Sequence, residues 1–269
     1  MTRVLSGLAL IVILVGAVWF APAPAFFAFA QLVLVLAFKE YADLAKAVSL
    51  EVPLLPAGAA TVLAAVGVSS STTIEGLVTH ASLLDVMLMS AFVALGALAL
   101  TRWQSGPDAL ARVSASAFPM LYLGLPVGAL VAIRAQHGRE ALLLLMASVA
   151  VSDTAQYYSG RTFGRRPLAP TISPKKTLEG AIGGFIIGGL FLAVAGAWWL
   201  PQMDVTLRAL LGATLVALGI AGDLFESMLK RSAGVKDSSS LIPGHGGVLD
   251  RIDALLFTAP IYYIVLKYV

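Results

Sequence analysis

Residues 227–253 read SMLKRSAGVKDSSSLIPGHGGVLDRID. They lie between the end of one apolar run, 206–229, and the start of another, 251–269. Into this stretch the chain packs Lys230, Arg231, Lys236, Asp237, His245, Asp250, Arg251 and Asp253, with glycines at 244, 246 and 247. The background is oil: 59% of residues are hydrophobic and 12% charged. Ionisable groups cost free energy beside hydrocarbon, so a cluster of them between apolar runs marks a working site.

Outward from it, the apolar runs set the fold class. Nine stretches, near 4–20, 24–46, 52–69, 82–101, 114–133, 141–160, 178–199, 206–229 and 251–269, are each about long enough to cross roughly 30 Å of hydrocarbon as a helix. A β-barrel would instead show short alternating segments. The expectation is an all-α, polytopic transmembrane helical bundle of about nine spans. Arg3 ahead of the first run and Ala21-Pro22-Ala23-Pro24-Ala25 after it imitate a cleavable signal, but the further spans favour a retained first helix. Pro53, Pro119 and Pro126 fall near ends or inside spans, where local kinks are tolerated. No linker separates two domains, so 1–269 reads as one integral-membrane domain. Spans of 1–135 form a scaffold, and 136–269 carries the chemistry.

Basic residues orient the bundle. Of the 18 Lys and Arg, only Arg134, Arg139, Arg208 and Lys267 fall on the side opposite the N-terminus. The other fourteen place the N-terminus and the polar loops 161–177 and 230–250 in the cytoplasm. Without cysteine there are no disulfides or thiolate metal ligands. No basic-aromatic pattern points to nucleic acid, and the basic loops suit anionic lipid or phosphorylated substrates.

A second informative stretch, residues 153–180, reads DTAQYYSGRTFGRRPLAPTISPKKTLEG. Asp153 and Asp223 each lie roughly 10–12 Å inside the cytoplasmic end of a helix, from the rise per residue. Asp250 and Asp253 open the last span from the same side, so three helices bring carboxylates to one level. Asp223, Ser227 and Lys230 line one helical face, with Glu226 a turn from Asp223. Oxygen donors without thiolates suit a hard cation such as Mg²⁺. The glycine turn ahead of Asp250 aims helix N-terminal amides at an anion. Lys230, Arg231, Lys236, Lys175, Lys176 and Arg161 form a cationic rim. An acidic cage with a basic rim is the composition of a Mg²⁺–polyphosphate site.

Blander roles compete. Asp153 suits helix–helix hydrogen bonding. Glu226 and Glu179 are placed to pair with Lys230 and Lys176. Arg165 and Arg166 suit topology determinants, and His245 suits a turn cap. Glu40, Tyr41 and Asp43 read as a solvated helix end. The pair Asp223 and Asp250 resists such a reading, because unneutralised carboxylates at one level are costly without a cation.

The stretch 227–253 resembles the hallmark of the phosphatidate cytidylyltransferase (CDP-diacylglycerol synthase) family, S-x-L-K-R-x4-K-D-x-x-x-x-I-P-G-H-G-G-x-x-D-R-x-D, at every defined position. Residues 222–227, GDLFES, fit too, and SPKKTLEG at 173–180 is similar to the family's S-P-K-K-T-x-E-G. The likeness covers the chain from Asp153 onward. The first half matches only as spans, with YLGLP at 122–126 a weaker echo. Gln156 and Leu178 depart from residues more common in the family, which bears on local substrate contacts.

The resemblance implies that CTP and phosphatidic acid react to CDP-diacylglycerol and pyrophosphate, with Mg²⁺, in phospholipid biosynthesis. It implies an integral protein of the bacterial inner membrane with its site facing the cytoplasm, and a homodimer as the oligomer to expect. Asp223 and Asp250 would hold one or two metal ions, with Asp153, Glu226 and Asp253 as further ligands. Lys230, Lys236 and His245 join Asp223 and Asp250 as the catalytic set. Ser173, Lys175, Lys176, Thr177, Glu179, Arg161, Ser227, Arg231, Asp237, Gly244, Gly246, Gly247 and Arg251 would bind substrate. A CDP-alcohol phosphotransferase would show a D-G-x-x-A-R…G-x-x-x-D-x-x-x-D helix, which is absent. An ion-coupled transporter would place carboxylates nearer the midplane, with repeat symmetry.

Overall fold

A computed structural model of the chain describes residues 2–70, 83–101 and 108–269. Residue 82, at the start of the fourth apolar run, and Arg102, one of the orienting cations, lie outside the described residues. Among those described, the helices are α1 (Thr2–Phe20), α2 (Ala23–Ala47), α3 (Leu54–Ser69), α4 (Leu83–Thr101), α5 (Ala109–Pro119), α6 (Leu125–Phe163), α7 (Leu178–Trp199), α8 (Val205–Ser232) and α9 (Leu249–Tyr268). A π-helical turn, Met120–Gly124, joins α5 to α6. Pro119 and Pro126 flank that turn. A proline lacks the N–H for an i→i−4 bond and its ring crowds the carbonyl one turn back, so the widened turn relieves both conflicts.

The helices follow the apolar runs closely. Five helical stretches among the described residues are long and apolar enough to cross a membrane: Ala23–Ala47, Leu83–Thr101, Ala109–Phe163, Leu178–Trp199 and Val205–Ser232. Ala109–Phe163 is broken at Gly138, whose φ of 90° and ψ of 164° no helix accommodates. The break falls between the runs 114–133 and 141–160, and glycine reaches that backbone region without a Cβ clash. Arg134 lies just ahead of it, donates to the carbonyls of Val18 and Ala21, and so closes the C-terminal end of α1.

The polar segment 161–177 is more ordered than a loop. Helix α6 runs to Phe163, and β1 (Pro167–Ala169) pairs antiparallel with β2 (Ser173–Thr177) in a short hairpin. The bundle is therefore all-α with one hairpin appended. Leu168 of β1 packs on a small cluster of Ala181, Val216 and Ile220, which seats the hairpin over α7 and α8. At the bundle centre the second arm of α6 packs along α7 and α9, and α8 lies between α7 and α9. The core continues into an aromatic cluster of Tyr41, Phe118, Tyr122, Phe225 and Phe257, with ring centroids 5.2–6.5 Å apart. This cluster ties α2, α5, the π turn, α8 and α9 together just beneath Glu226.

Candidate active site

The two polar stretches meet. Lys176, at the end of β2, places its Nζ 2.6 Å from Oδ2 of Asp223, two to three turns inside α8. Ser227, one turn on, donates to the other Asp223 oxygen at 3.3 Å. Gly222 lets α9 come close: a Cβ there would lie 2.5 Å from the carbonyl oxygen of Asp253. Asp153, Asp223 and Asp253 consequently stand within electrostatic range of one another, and Lys176 within range of Asp153. Carboxylates from α6, α8 and α9 thus come near one another.

Nearer the end of α8 than this mouth at Asp223 sits a buried charged knot. Lys230 pairs with both Glu226, one turn back on α8, and Asp250, in the first turn of α9. Glu226 is fully buried, and the side chains of Lys230 and Asp250 are 10% and 5% exposed. The i,i+4 pairing of Glu226 with Lys230 is therefore real. Asp250 has little left to offer. One oxygen takes Lys230, and the other accepts from the Ser238 amide (2.9 Å), the Ser238 hydroxyl (2.8 Å) and the Gly247 amide (2.7 Å). Lys230, expected in the cationic rim and the catalytic set, is committed to two protein carboxylates, because both are buried and need a counter-charge.

The reading of Glu40 and Tyr41 as a solvated helix end is wrong. Both are buried, and only Asp43 is exposed. Tyr41 donates to the Ala115 carbonyl at 3.0 Å. Glu40 Oε1 accepts from the Ser239 hydroxyl (2.7 Å) and the Val248 amide (2.9 Å). Its Oε2 accepts from the Ser238 hydroxyl (3.0 Å) and the Leu249 amide (2.7 Å). The glycine turn does aim amides at an anion, but the anions are Glu40 and Asp250 rather than a ligand. A Cβ on Gly247 would collide with Ser238 and Glu40, so glycine is needed for this close approach.

Other expected residues take local duties. Thr177 caps α7, accepting from the Gly180 amide at 3.1 Å. Glu179 does not pair with Lys176. It accepts the Arg165 and Arg166 amides at 2.9 and 3.2 Å and so holds the hairpin's entry. The pairing fails because Lys176 is on a strand and Glu179 on the helix that follows, so the two share no helical face. Arg231 donates to the carbonyls of Ile172 (3.4 Å) and Val235 (2.9 Å), joining the hairpin to the end of α8. His245 is half-buried with Nδ1 2.9 Å from the Ser6 hydroxyl, docked against α1. Gly244 and Gly246 both have φ of 77°. Arg161 holds the Tyr157 hydroxyl at 3.2 Å. Lys175, Lys236, Asp237 and Arg251 are exposed, and Ser173 is half-buried in β2.

A model of the Cytidylyltransferase family matches residues 1–269. The chain belongs to that family. Among curated relatives it is 45% identical over 130 residues to a phosphatidate cytidylyltransferase of Haemophilus influenzae, covering 47% of this chain and 45% of the relative. To that of Synechocystis sp. it is 49% identical over 123 residues, 45% of this chain and 41% of the relative. To that of Thermotoga maritima it is 40% identical over 160 residues, 58% of this chain and 59% of the relative. The chain spans about half the length of the curated relatives it matches.

For a cytidylyltransferase the donor set at the mouth decides whether a metal fits. The described residues hold no preassembled group of three or more His, Asp or Glu at ligating distance. Asp153, Asp223 and Asp253 are nonetheless hard oxygen donors within electrostatic range of one another, and Lys176 already supplies a cation there. Such a set suits Mg²⁺. Asp250, its oxygens engaged, is the poorest candidate of the predicted ligands, and Glu226 is sealed against Lys230.

Proposed function

We propose that this cytidylyltransferase joins CTP and phosphatidic acid into CDP-diacylglycerol, releasing pyrophosphate. A phosphate oxygen of the lipid attacks the α-phosphorus of CTP, and the bond from that phosphorus to the β-phosphate oxygen breaks. The attacking phosphate is already anionic, so the protein's task is alignment and charge stabilisation. Lys176, with the exposed Lys175 and Lys236, would serve as phosphate partners, while Lys230 and Asp250 fix the frame that joins α8 to α9. A divalent cation, Mg²⁺ in this reading, would be held by Asp223 with Asp153 and Asp253 and would neutralise charge on the triphosphate.

The observation that carries this reading is the Lys176–Asp223 pair, which closes a basic hairpin over three carboxylates from three helices. Nine spans with the N-terminus and the mouth in the cytoplasm are part of the same proposal. The Gly138 break and the fourteen-to-four distribution of basic residues support it. The reaction is tested by incorporation of radiolabelled CTP into lipid by purified protein with phosphatidic acid, with and without Mg²⁺. Labelled lipid only when acceptor and metal are both present supports the proposal. Well-folded protein yielding no labelled lipid refutes it.

A further inference from the structure

Helix α9 begins without a cap of its own: Val248 stands at the N-cap, where no side chain accepts a hydrogen bond from the first turn. The first amides of a helix are unsatisfied donors at its positive end and want an acceptor, best an anionic one. Glu40 supplies it from α2, some two hundred residues away in sequence. The same carboxylate takes the Ser239 hydroxyl and shares the single Ser238 hydroxyl proton with Asp250, to which the Ser238 amide also donates. Asp250 in turn holds Lys230. One buried carboxylate thus fixes both ends of the segment 238–249 and, through Ser238, the carboxylate that anchors α9 to α8.

We propose that Glu40 is a positioning residue for this site, holding the 238–249 segment and Asp250 in place without touching substrate. Its effect reaches the mouth because Asp253 lies one turn along α9 from Asp250, so a shift in the start of α9 moves Asp253 relative to Asp223. The kinetic part rests on the proposed reaction. The structural part does not.

The test compares the unaltered full chain with Glu40→Gln and Glu40→Asp in detergent, all shown to be folded by a monodisperse elution peak. Hydrogen–deuterium exchange of peptides covering 238–249 reads the contact directly. We expect exchange at least tenfold faster in Glu40→Gln, because the neutral amide has one acceptor oxygen for four donors. In turnover, kcat falls roughly 10- to 100-fold, the range seen for outer partners that orient working groups, with KM for CTP within about twofold. Glu40→Asp recovers part of both. Ser239→Ala removes one donor, gives the same split at about 2- to 5-fold, and carries the test if Glu40→Gln does not fold. Unchanged exchange, or kcat and KM both unmoved in a folded Glu40→Gln, overturns the proposal. A uniform loss of activity tracking the folded fraction, with no rescue by Glu40→Asp, overturns it too. If the unaltered protein forms no labelled lipid, the reaction falls, and exchange alone decides whether Glu40 holds the segment.

Discussion

Replacing Lys230 with methionine tests the buried knot most sharply. The ammonium lies between Glu226, which is fully buried, and Asp250, which is 5% exposed. Methionine fills similar space but leaves Glu226 without a counter-charge, and among the described residues no hydrogen-bond donor other than Lys230 reaches its oxygens. Asp250 fares better, since Ser238 and Gly247 still give it three donors. Removing one partner of a buried pair costs about 3–5 kcal/mol. At about 2–4 °C per kcal/mol for a chain of this size, the thermal midpoint should fall by roughly 6–20 °C. The asymmetry gives the decisive control. In Lys230→Met/Glu226→Leu the stranded carboxylate is gone, and an apolar pair of like volume is often neutral or better. The double variant should recover at least half of the lost midpoint. Thermal unfolding in detergent, followed by tryptophan fluorescence, reads all four corners of the cycle. A Lys230→Met protein within about 2 °C of the unaltered one would refute the reasoning. So would a double variant no more stable than the single.

Three further outcomes follow from the same geometry. Asp223→Asn removes the partner of Lys176 and the central oxygen donor of the mouth, so Mg²⁺-dependent lipid labelling should fall about 100-fold or more. Retained turnover would remove Asp223 from the metal set. Gly222→Val forces a side chain against the Asp253 carbonyl and should part α8 from α9, costing about 1–3 kcal/mol in thermal unfolding and abolishing turnover. A fully active Gly222→Val would show that the close approach is dispensable. Thr177→Ala deletes the α7 cap and should cost about 1 kcal/mol, measured in the same unfolding assay. A loss of turnover without that destabilisation would give Thr177 a role at the substrate instead.

Much of the site follows from helical spacing alone. Asp223, Ser227 and Lys230 fall on one face of α8 because four residues make about one turn, and Ser227 does reach Asp223. Glu226 and Lys230 pair for the same reason. Where the chain changes from strand to helix the rule fails, as it does for Lys176 and Glu179. The burial of Glu40 is not legible in the sequence because its partners lie 198 to 209 residues away and no period connects them. Two signals were present: an acid in a long apolar run, and a glycine turn leading into α9 with valine rather than a capping residue at its start.

The sequence by itself determined the membrane-embedded helices, since hydrocarbon tolerates only backbones that satisfy their own hydrogen bonds along runs of apolar side chains. It determined also which side chains share one helical face, because the helix repeat is fixed. Tertiary packing decided which charges on different elements meet. Gly222 draws Asp253 to Asp223, the hairpin delivers Lys176, and α2 brings Glu40 to the start of α9. Those approaches depend on how close helices far apart in sequence can come, and for Glu40, buried as it is, the donors at the start of α9 are a requirement.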